Sequence, residues 1–440
     1  MDWEKINNEY INLIEKNPYE YYEDYKKALE AVRNSTAIYK GEPVPFLYHP
    51  MFYTPEDVEE FEYIGKIIMS IANKVAKRYM DFPEYRTKFE YSKLLEDLIL
   101  IDEGYHINVP IGRFDIFYGG KDNFKFCEFN TDGSSAMNED NTLARILMDT
   151  KAINNMKKKY NISYFELIYK WVEESIKIFK KFNPDIEKPN VAIVDFKESG
   201  TPYEFEEFKK AYINKGFKAV VADPRELKYI DGKLYFKDIK IDLIYRRIVT
   251  KEFVDRIDEI EDLANAYKDG SVCMIGSLKS QIMHNKIIFK VLHEKETLQF
   301  LTEEERNFIK KHIPYTEEFN GEDIYKEVLK NKDKYILKPK DLYASKGVYA
   351  GKSFSSEDWK RIADESLGKE YICQEFCEPF TREFVNFEDG KLKVSKLKTI
   401  TGIFMYNEKF EGLYTRLGKS TIISGLHDYY TVPNIVAEEK

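Results

Sequence analysis

The chain has 440 residues, 43% of them hydrophobic and 33% charged, a balance that suits a globular protein with two or three domains and a substantial core. Its 77 acidic against 68 basic residues give a net charge of −9 with both signs interspersed, which argues against a general nucleic-acid surface. No run approaches the roughly 18 apolar residues a bilayer span needs, no secretory leader is legible at MDWEKINNEY, and four scattered cysteines make no disulfide framework. The expected setting is the cytoplasm, with neither membrane nor nucleic acid as a partner.

Residues 1 to about 100 read as mostly helical. The stretch PEDVEEFEYIGKIIMSIANKVAKRYM carries a long helical period, with Thr54 as N-cap before Pro55. Two strands follow, Arg113–Tyr118 and Phe124–Asn130, joined by GGKDN as a hairpin. Helices are expected from about 139 to 148 and from 164 to 181. Between 190 and 248, VAIVDF, EFEEFKKAYINKG, KAVVADP, KLYFKD and IDLIYRR spell strand, helix, strand, hairpin and strand, the order of a parallel α/β sheet. No G-x-G-x-x-G follows the first of these strands, so a dinucleotide site has no support there. Residues 254–330 read as helical and 335–440 return to strands, with no internal repeat.

Three stretches carry chemistry. In the hairpin, side chains alternate, so Phe126, Glu128 and Asn130 are expected on one face and Cys127 and Phe129 on the other. If GKDN is the loop and Gly119 opposes Phe124, then Asp115 opposes Glu128 and Arg113 opposes Asn130. A five-residue loop would instead send the two carboxylates to opposite faces. Facing carboxylates repel, and a hard divalent cation with oxygen ligands relieves that. A polar face with a salt bridge to Arg113 relieves it as well, and the residues alone leave both readings open.

In YILKPKDLYASKGVYAGKSF, Lys338 ends an apolar strand that Pro339 stops. Ser345, Gly347 and Gly351 then loosen a flap carrying Lys346. A strand-end lysine under a small-residue flap is one way to hold a triphosphate, although a strand, lysine and proline also occur together without one. In EYICQEFCEPF, an apolar strand ends in Gln374-Glu375, which suits an adenine edge or is simply a strand. The single C-x-x-x-C of Cys373 and Cys377 is too little for a metal site.

Lysine, flap, hinge strand and an acidic hairpin are the parts of an ATP-grasp ligase, but there the lysines usually come first. Here Glu128-Phe129-Asn130 precedes Lys338 by about two hundred residues, the order a circular permutation produces. The sequence resembles the circularly permuted ATP-grasp proteins, most closely the synthetase domain of the glutathionylspermidine synthases. GRFD at 112–115, CEFNTD at 127–132, HNKIIFKVL at 284–292, YILKPK at 335–340, YICQEF at 371–376 and LYTRLGKST at 413–421 carry the resemblance in family order.

That resemblance implies a mixed α/β protein with a circularly permuted ATP-grasp fold, a Rossmann-like parallel-sheet subdomain and a helical N-terminal segment. The implied divisions are 1–104, packed on the synthetase core; 105–187, with the metal-ligand hairpin; 188–249, Rossmann-like; and 250–440, the rest of the ATP-grasp domain. It implies Asp115, Glu128 and Asn130 as Mg²⁺ ligands and Lys286 and Lys338, joined by Lys346 of the flap, on the phosphates of ATP. Gln374 and Glu375 would lie beside adenine and ribose, and Arg113 and Arg416 would face the transferred phosphoryl group.

The implied reaction joins a small-molecule or peptide carboxylate to an amine, such as a polyamine or amino acid, through an acyl phosphate. The alternatives are a non-catalytic nucleotide-binding protein that keeps the fold, and a phosphotransferase. The pattern departs from the family at Asn130-Thr131-Asp132-Gly133, where a hydroxyl residue is replaced by glycine. Asp132, Ser135 and Arg247 are candidates for substrate contact, with Arg246 beside them. Residues 1–100 hold no cysteine and only His49, so the Cys/His amidase of bifunctional relatives is not expected there.

Overall fold

A computed structural model describes residues 2–342, 345–423 and 429–440. Two helices, Trp3–Lys16 and Pro18–Arg33, open the chain. The long helix Pro55–Asp81 starts where expected: Thr54 Oγ1 accepts from the Asp57 backbone N–H, and the Asp57 carboxylate accepts from the Thr54 N–H at 2.8 Å. This reciprocal cap satisfies two donors that the first turn leaves without partners.

The centre of the molecule is a six-stranded antiparallel sheet. From one edge it runs Tyr429–Val432, Lys409–Gly418, Lys391–Tyr406, Ile111–Tyr118 and Phe124–Asn130, with Thr381–Glu388 paired to the far half of the long strand Lys391–Tyr406. Phe114, Ile116 and Tyr118 turn one face of this sheet toward the long helix and the main core. A second antiparallel sheet, ordered Thr316–Glu318, Tyr371–Glu375, Tyr335–Pro339 and Tyr349–Ala350, packs on the helices Glu322–Lys330 and Ser356–Ser366 through Leu337, Val328 and Trp359. The two sheets wall a cleft.

The third body is a parallel sheet ordered Cys273–Ile275, Leu243–Arg246, Val191–Val194 and Ala219–Ala222. Its central strands are apolar and buried apart from Arg246 at the end of Leu243–Arg246, as strands covered on both faces are. The final strand Asn434–Glu439 lies between Met51–Tyr53 and Tyr160–Tyr164, tying both ends of the chain into one small sheet. No helix among the described residues is long and apolar enough to cross a membrane.

The hairpin differs in detail from the sequence reading. Tyr118, not Gly119, opposes Phe124, so the connection is GGKDN, one residue longer than GKDN. Even so, Asp115 opposes Glu128 and Arg113 opposes Asn130, because a β-bulge at Cys127 takes up the extra residue. The bulge also overturns the expected faces. Phe124, Phe126 and Phe129 all point into the core, with ring centroids 5.8 and 5.3 Å apart in sequence, while Cys127 and Glu128 are consecutive half-buried positions on the cleft side. The helical reading of 254–330 likewise gives way to short strands at Cys273–Ile275 and Thr316–Glu318. The HNKIIFKVL segment starts on the last residue of the short helix Gln281–His284, breaks at Asn285, Lys286 and Ile287, and continues in the short helix Ile288–Val291.

Candidate functional site: two clefts meeting at an acidic hairpin

On the cleft face of the large sheet, Glu128, Asp115, Gly402 and Tyr414 lie side by side on four adjacent strands. Asp115 is the hub of this row. Arg113 holds it bidentately, Nε to Oδ1 at 2.7 Å and Nη2 to Oδ2 at 3.0 Å, and Arg416 Nη2 reaches Oδ2 at 2.8 Å. The Asn130 amide bridges Asp115 Oδ2 at 3.2 Å and Glu128 Oε1 at 3.1 Å. The repulsion expected between the facing carboxylates is therefore relieved by two guanidiniums and an amide. Burial opposes the charge on Glu128, but Lys286, Arg416, the Asn130 amide and Lys338 hold its pKa down to about 2, so it stays ionised.

Among the described residues no three His, Cys, Asp or Glu side chains are arranged to hold a metal ion by themselves, and the hairpin offers two carboxylates and an amide. That set fits Mg²⁺, which takes one or two protein carboxylates and completes its shell with water and phosphate. One oxygen from each of the Asp115 and Glu128 carboxylates and the Asn130 amide, whose O and N can exchange places, would be its protein ligands.

The two predicted ATP lysines come to the wall of the first cleft. Lys338 Nζ donates to the Cys127 carbonyl at 3.0 Å and to Gln374 Oε1 at 2.7 Å, and Gln374 in turn donates to Thr316 Oγ1 at 2.9 Å. Lys286 Nζ donates to the Leu342 carbonyl at 2.8 Å. Burial pulls the Lys286 pKa down, Glu128 pulls it back up, and the nearby Lys338 lowers it again. Two buried ammoniums on one wall are short of negative charge, which a polyphosphate supplies. Apolar Phe117, Ile336, Val348 and Ile400 line the same cleft, together with the exposed Glu375 at its rim. Lys346 is exposed and not part of either cleft lining, whereas its neighbour Ser345 lines both. Tyr343 and Ala344 of the flap lie outside the described residues.

The second cleft opens on the other side of the hairpin, and the two share Glu128, Ser345 and Arg416. Ser135 lines it, and its carbonyl accepts from Arg113 Nη1 at 2.9 Å. Asp132 also lines it, but both its oxygens are engaged: Arg246 Nη2 at 2.7 Å and the Thr250 backbone N–H. That buried pair ties the hairpin to the parallel sheet. Arg247 pairs with Glu204 at 2.9 Å and donates to Tyr245 Oη at 2.9 Å, and its buried Nε has no partner.

Gly133 sits at φ +62°, where a Cβ would meet the Arg247 carbonyl at 2.9 Å, so glycine is what lets this loop touch the parallel sheet. The sequence reading missed Glu139, Asp195 and Glu252, which line this cleft, and Gly402 beneath the Arg113–Asp115 pair. Asp195 had one available signal, its place directly after the strand VAIV.

Comparison with known proteins follows the same lines. A family model described as a circularly permuted ATP-grasp matches residues 95–374. The structure is similar to that of a glutathione synthetase-like effector from Globodera pallida in its apo form, with a TM-score of 0.62, 10% sequence identity, and 95% of this chain and 97% of that one covered. At that identity the likeness speaks for the fold alone. No curated protein sequence matches the chain. ATP-grasp proteins are in general ATP-dependent ligases acting on small molecules, and here the acidic hairpin precedes the lysine strands within a match that spans well over half of the residues. The chain belongs to the circularly permuted ATP-grasp family.

Proposed function

We propose that the protein is an ATP- and Mg²⁺-dependent carboxylate–amine ligase that forms an amide through an acyl phosphate, in the manner of the glutathionylspermidine synthases. The observation that carries this reading is the corner common to both clefts, Glu128, Ser345 and Arg416. ATP with its base against the apolar wall and its phosphates on Lys286 and Lys338 brings its terminal phosphoryl group to that corner. A carboxylate entering by the second cleft meets it there.

The carboxylate oxygen attacks the γ-phosphorus and ADP leaves. The amine nitrogen then attacks the acyl carbon, phosphate leaves, and the amine gives up a proton. Arg113 and Arg416 are fixed cations where negative charge develops, so they lower both barriers without reorganising. Mg²⁺, when held by Asp115, Glu128 and Asn130, supplies further neutralisation of the phosphoryl oxygens. No side-chain nucleophile is required. The four cysteines are all unbonded, which suits a reducing compartment such as the cytoplasm.

An ADP-release screen of peptides, glutathione and amino acids against polyamines and amino acids, with Mg²⁺ and mass spectrometry of the products, tests this. The expected result is ADP formed in step with an amide. A stable phosphoester would mark a phosphotransferase, and ATP binding without turnover of any pair a non-catalytic relative. In the active pair, Glu128→Ala is expected to cut turnover by about a hundredfold or more with the fold retained. Unchanged turnover would remove Glu128 from the metal set.

A further inference from the structure

The second cleft extends to the carboxyl ends of the parallel sheet. From Val191–Val194 the chain passes to Ala219–Ala222 on one side and later returns on the other as Leu243–Arg246. Strand order therefore reverses between Val191–Val194 and Leu243–Arg246, and the loops leaving these two strands diverge. In open α/β sheets that divergence is where ligands bind. Here the first residue beyond one strand is Asp195 and the first beyond the other is Arg247. The Arg247 backbone N–H bonds the Val194 carbonyl at 2.9 Å, which sets the two side by side, and both line the cleft.

Each has a need that the protein leaves unmet. Asp195 Oδ1 accepts from the backbone N–H of its own neighbour Phe196, but among the described residues no lysine or arginine forms an ion pair with it. Burial pushes its carboxyl up to about 7 against the pull of Arg247, and Glu252 adds to the rise. Glu252 is itself paired with Arg256 at 3.1 Å. Arg247 is only 5% exposed, and its Nε finds no acceptor although Glu204 and Tyr245 take its other nitrogens. A buried donor without a partner is costly to the fold unless something fills it. A cation is missing at Asp195 and an acceptor is missing at Arg247, next to one another. Tyr39 and Tyr429 line the same cleft, and the Tyr414 ring beside them already lies under the Arg113 guanidinium.

We propose that Asp195 and Arg247 form a subsite for an amino-acid head group, Asp195 taking the ammonium and the Arg247 guanidinium the adjacent carboxylate, in the part of the cleft that the nucleotide does not share. The subsite assigns one of the two ligase substrates to amino acids, or to peptides that keep a free α-amino and α-carboxylate on one carbon. It rests on the ligase reading only for the role of that substrate in turnover.

Binding tests the subsite without turnover. Calorimetry with the full chain uses the twenty amino acids and glutathione, each beside its N-acetyl form. At least one free head group is expected to bind, with its N-acetyl form weaker by about tenfold or more. Asp195→Asn is expected to remove that preference at an unchanged melting temperature. Arg247→Lys, which keeps the charge but loses the guanidinium, is expected to weaken the free form while ATP affinity stays the same. If no member of the panel binds, or if Asp195→Asn binds the free and acetylated forms with the wild-type preference, the subsite is wrong. Failure of ADP release with any pair, while the head group still binds, would count against the ligase reading alone. Where turnover is found, Asp195→Asn is expected to raise the KM of the head-group substrate about tenfold or more with kcat and the KM of ATP unchanged. A fall in kcat alone would overturn the assignment.

Discussion

Gly402 has no side chain at the point where one would collide with the acidic hub. A Cβ there would sit 2.5 Å from Arg113 Cδ and 2.6 Å from Asp115 Oδ1. Gly402→Ala must therefore push the Arg113–Asp115 pair toward the cleft. It is expected to cost about 1–3 kcal/mol in a urea titration and, since small misplacements of positioned groups are expensive, about a hundredfold in ADP release. Wild-type turnover in that variant would mean the pair is not held in its working geometry by the sheet. At this scale the sequence was informative where polar residues interrupt apolar strands, as at Glu128, Asn130, Arg113, Asp115 and Lys338. It was silent at Gly402, which reads as a weak spot in a strand, and at Asp195, which reads as any loop carboxylate. Both owe their meaning to neighbours from distant parts of the chain.

The bulge in Phe124–Asn130 does more than absorb a residue. A bulged residue drops out of the ladder, so its carbonyl is free for other partners, and the Cys127 carbonyl is taken by Lys338. Deleting Cys127 leaves Phe124, Phe126 and Phe129 facing the core and Lys125, Glu128 and Asn130 facing the cleft in strict alternation. The deletion variant is expected to fold, to lose that lysine anchor, and to bind ATP about tenfold more weakly by calorimetry. Cys127→Ala keeps the carbonyl and is expected to bind as the wild type does. Equal affinity in the deletion variant would show that the bulge does not position Lys338. The sign of the bulge was legible in the aromatic spacing, two residues and then three, of Phe124, Phe126 and Phe129. A reading of strict alternation passed over it and placed Phe126 on the wrong face.

His49 links the N-terminal helix Trp3–Lys16 to the strand Thr381–Glu388. Its Nδ1 accepts from the Val385 backbone N–H at 3.1 Å, and its ring lies 4.6 Å from that of Tyr10 and 5.1 Å from that of Phe384. Burial holds its pKa down to about 3. In the unfolded chain it takes a proton near pH 6.5 that the folded state refuses. Its contribution to stability is therefore intact above about 6.5 and is lost as pH falls toward 3. Between pH 7 and 5 the wild type is expected to lose about 2 kcal/mol more in urea unfolding than His49→Asn, whose Oδ1 accepts the same N–H without titrating. Parallel pH profiles for the two proteins would rule this out.

By itself the sequence determined the periodicities, the cap at Thr54, the parallel α/β order of 190–248 and the permuted succession of hairpin, lysines, hinge and arginine strand. All of these are local patterns or their covalent order. Only the tertiary structure decided that Arg416, 301 residues from Asp115, shares its carboxylate with Arg113. It also decided that the two clefts meet at Glu128 and that Asp195 stands beside Arg247. Those facts depend on which strands become neighbours and in what register, and that follows from burying apolar faces across the whole chain rather than from any one stretch of it.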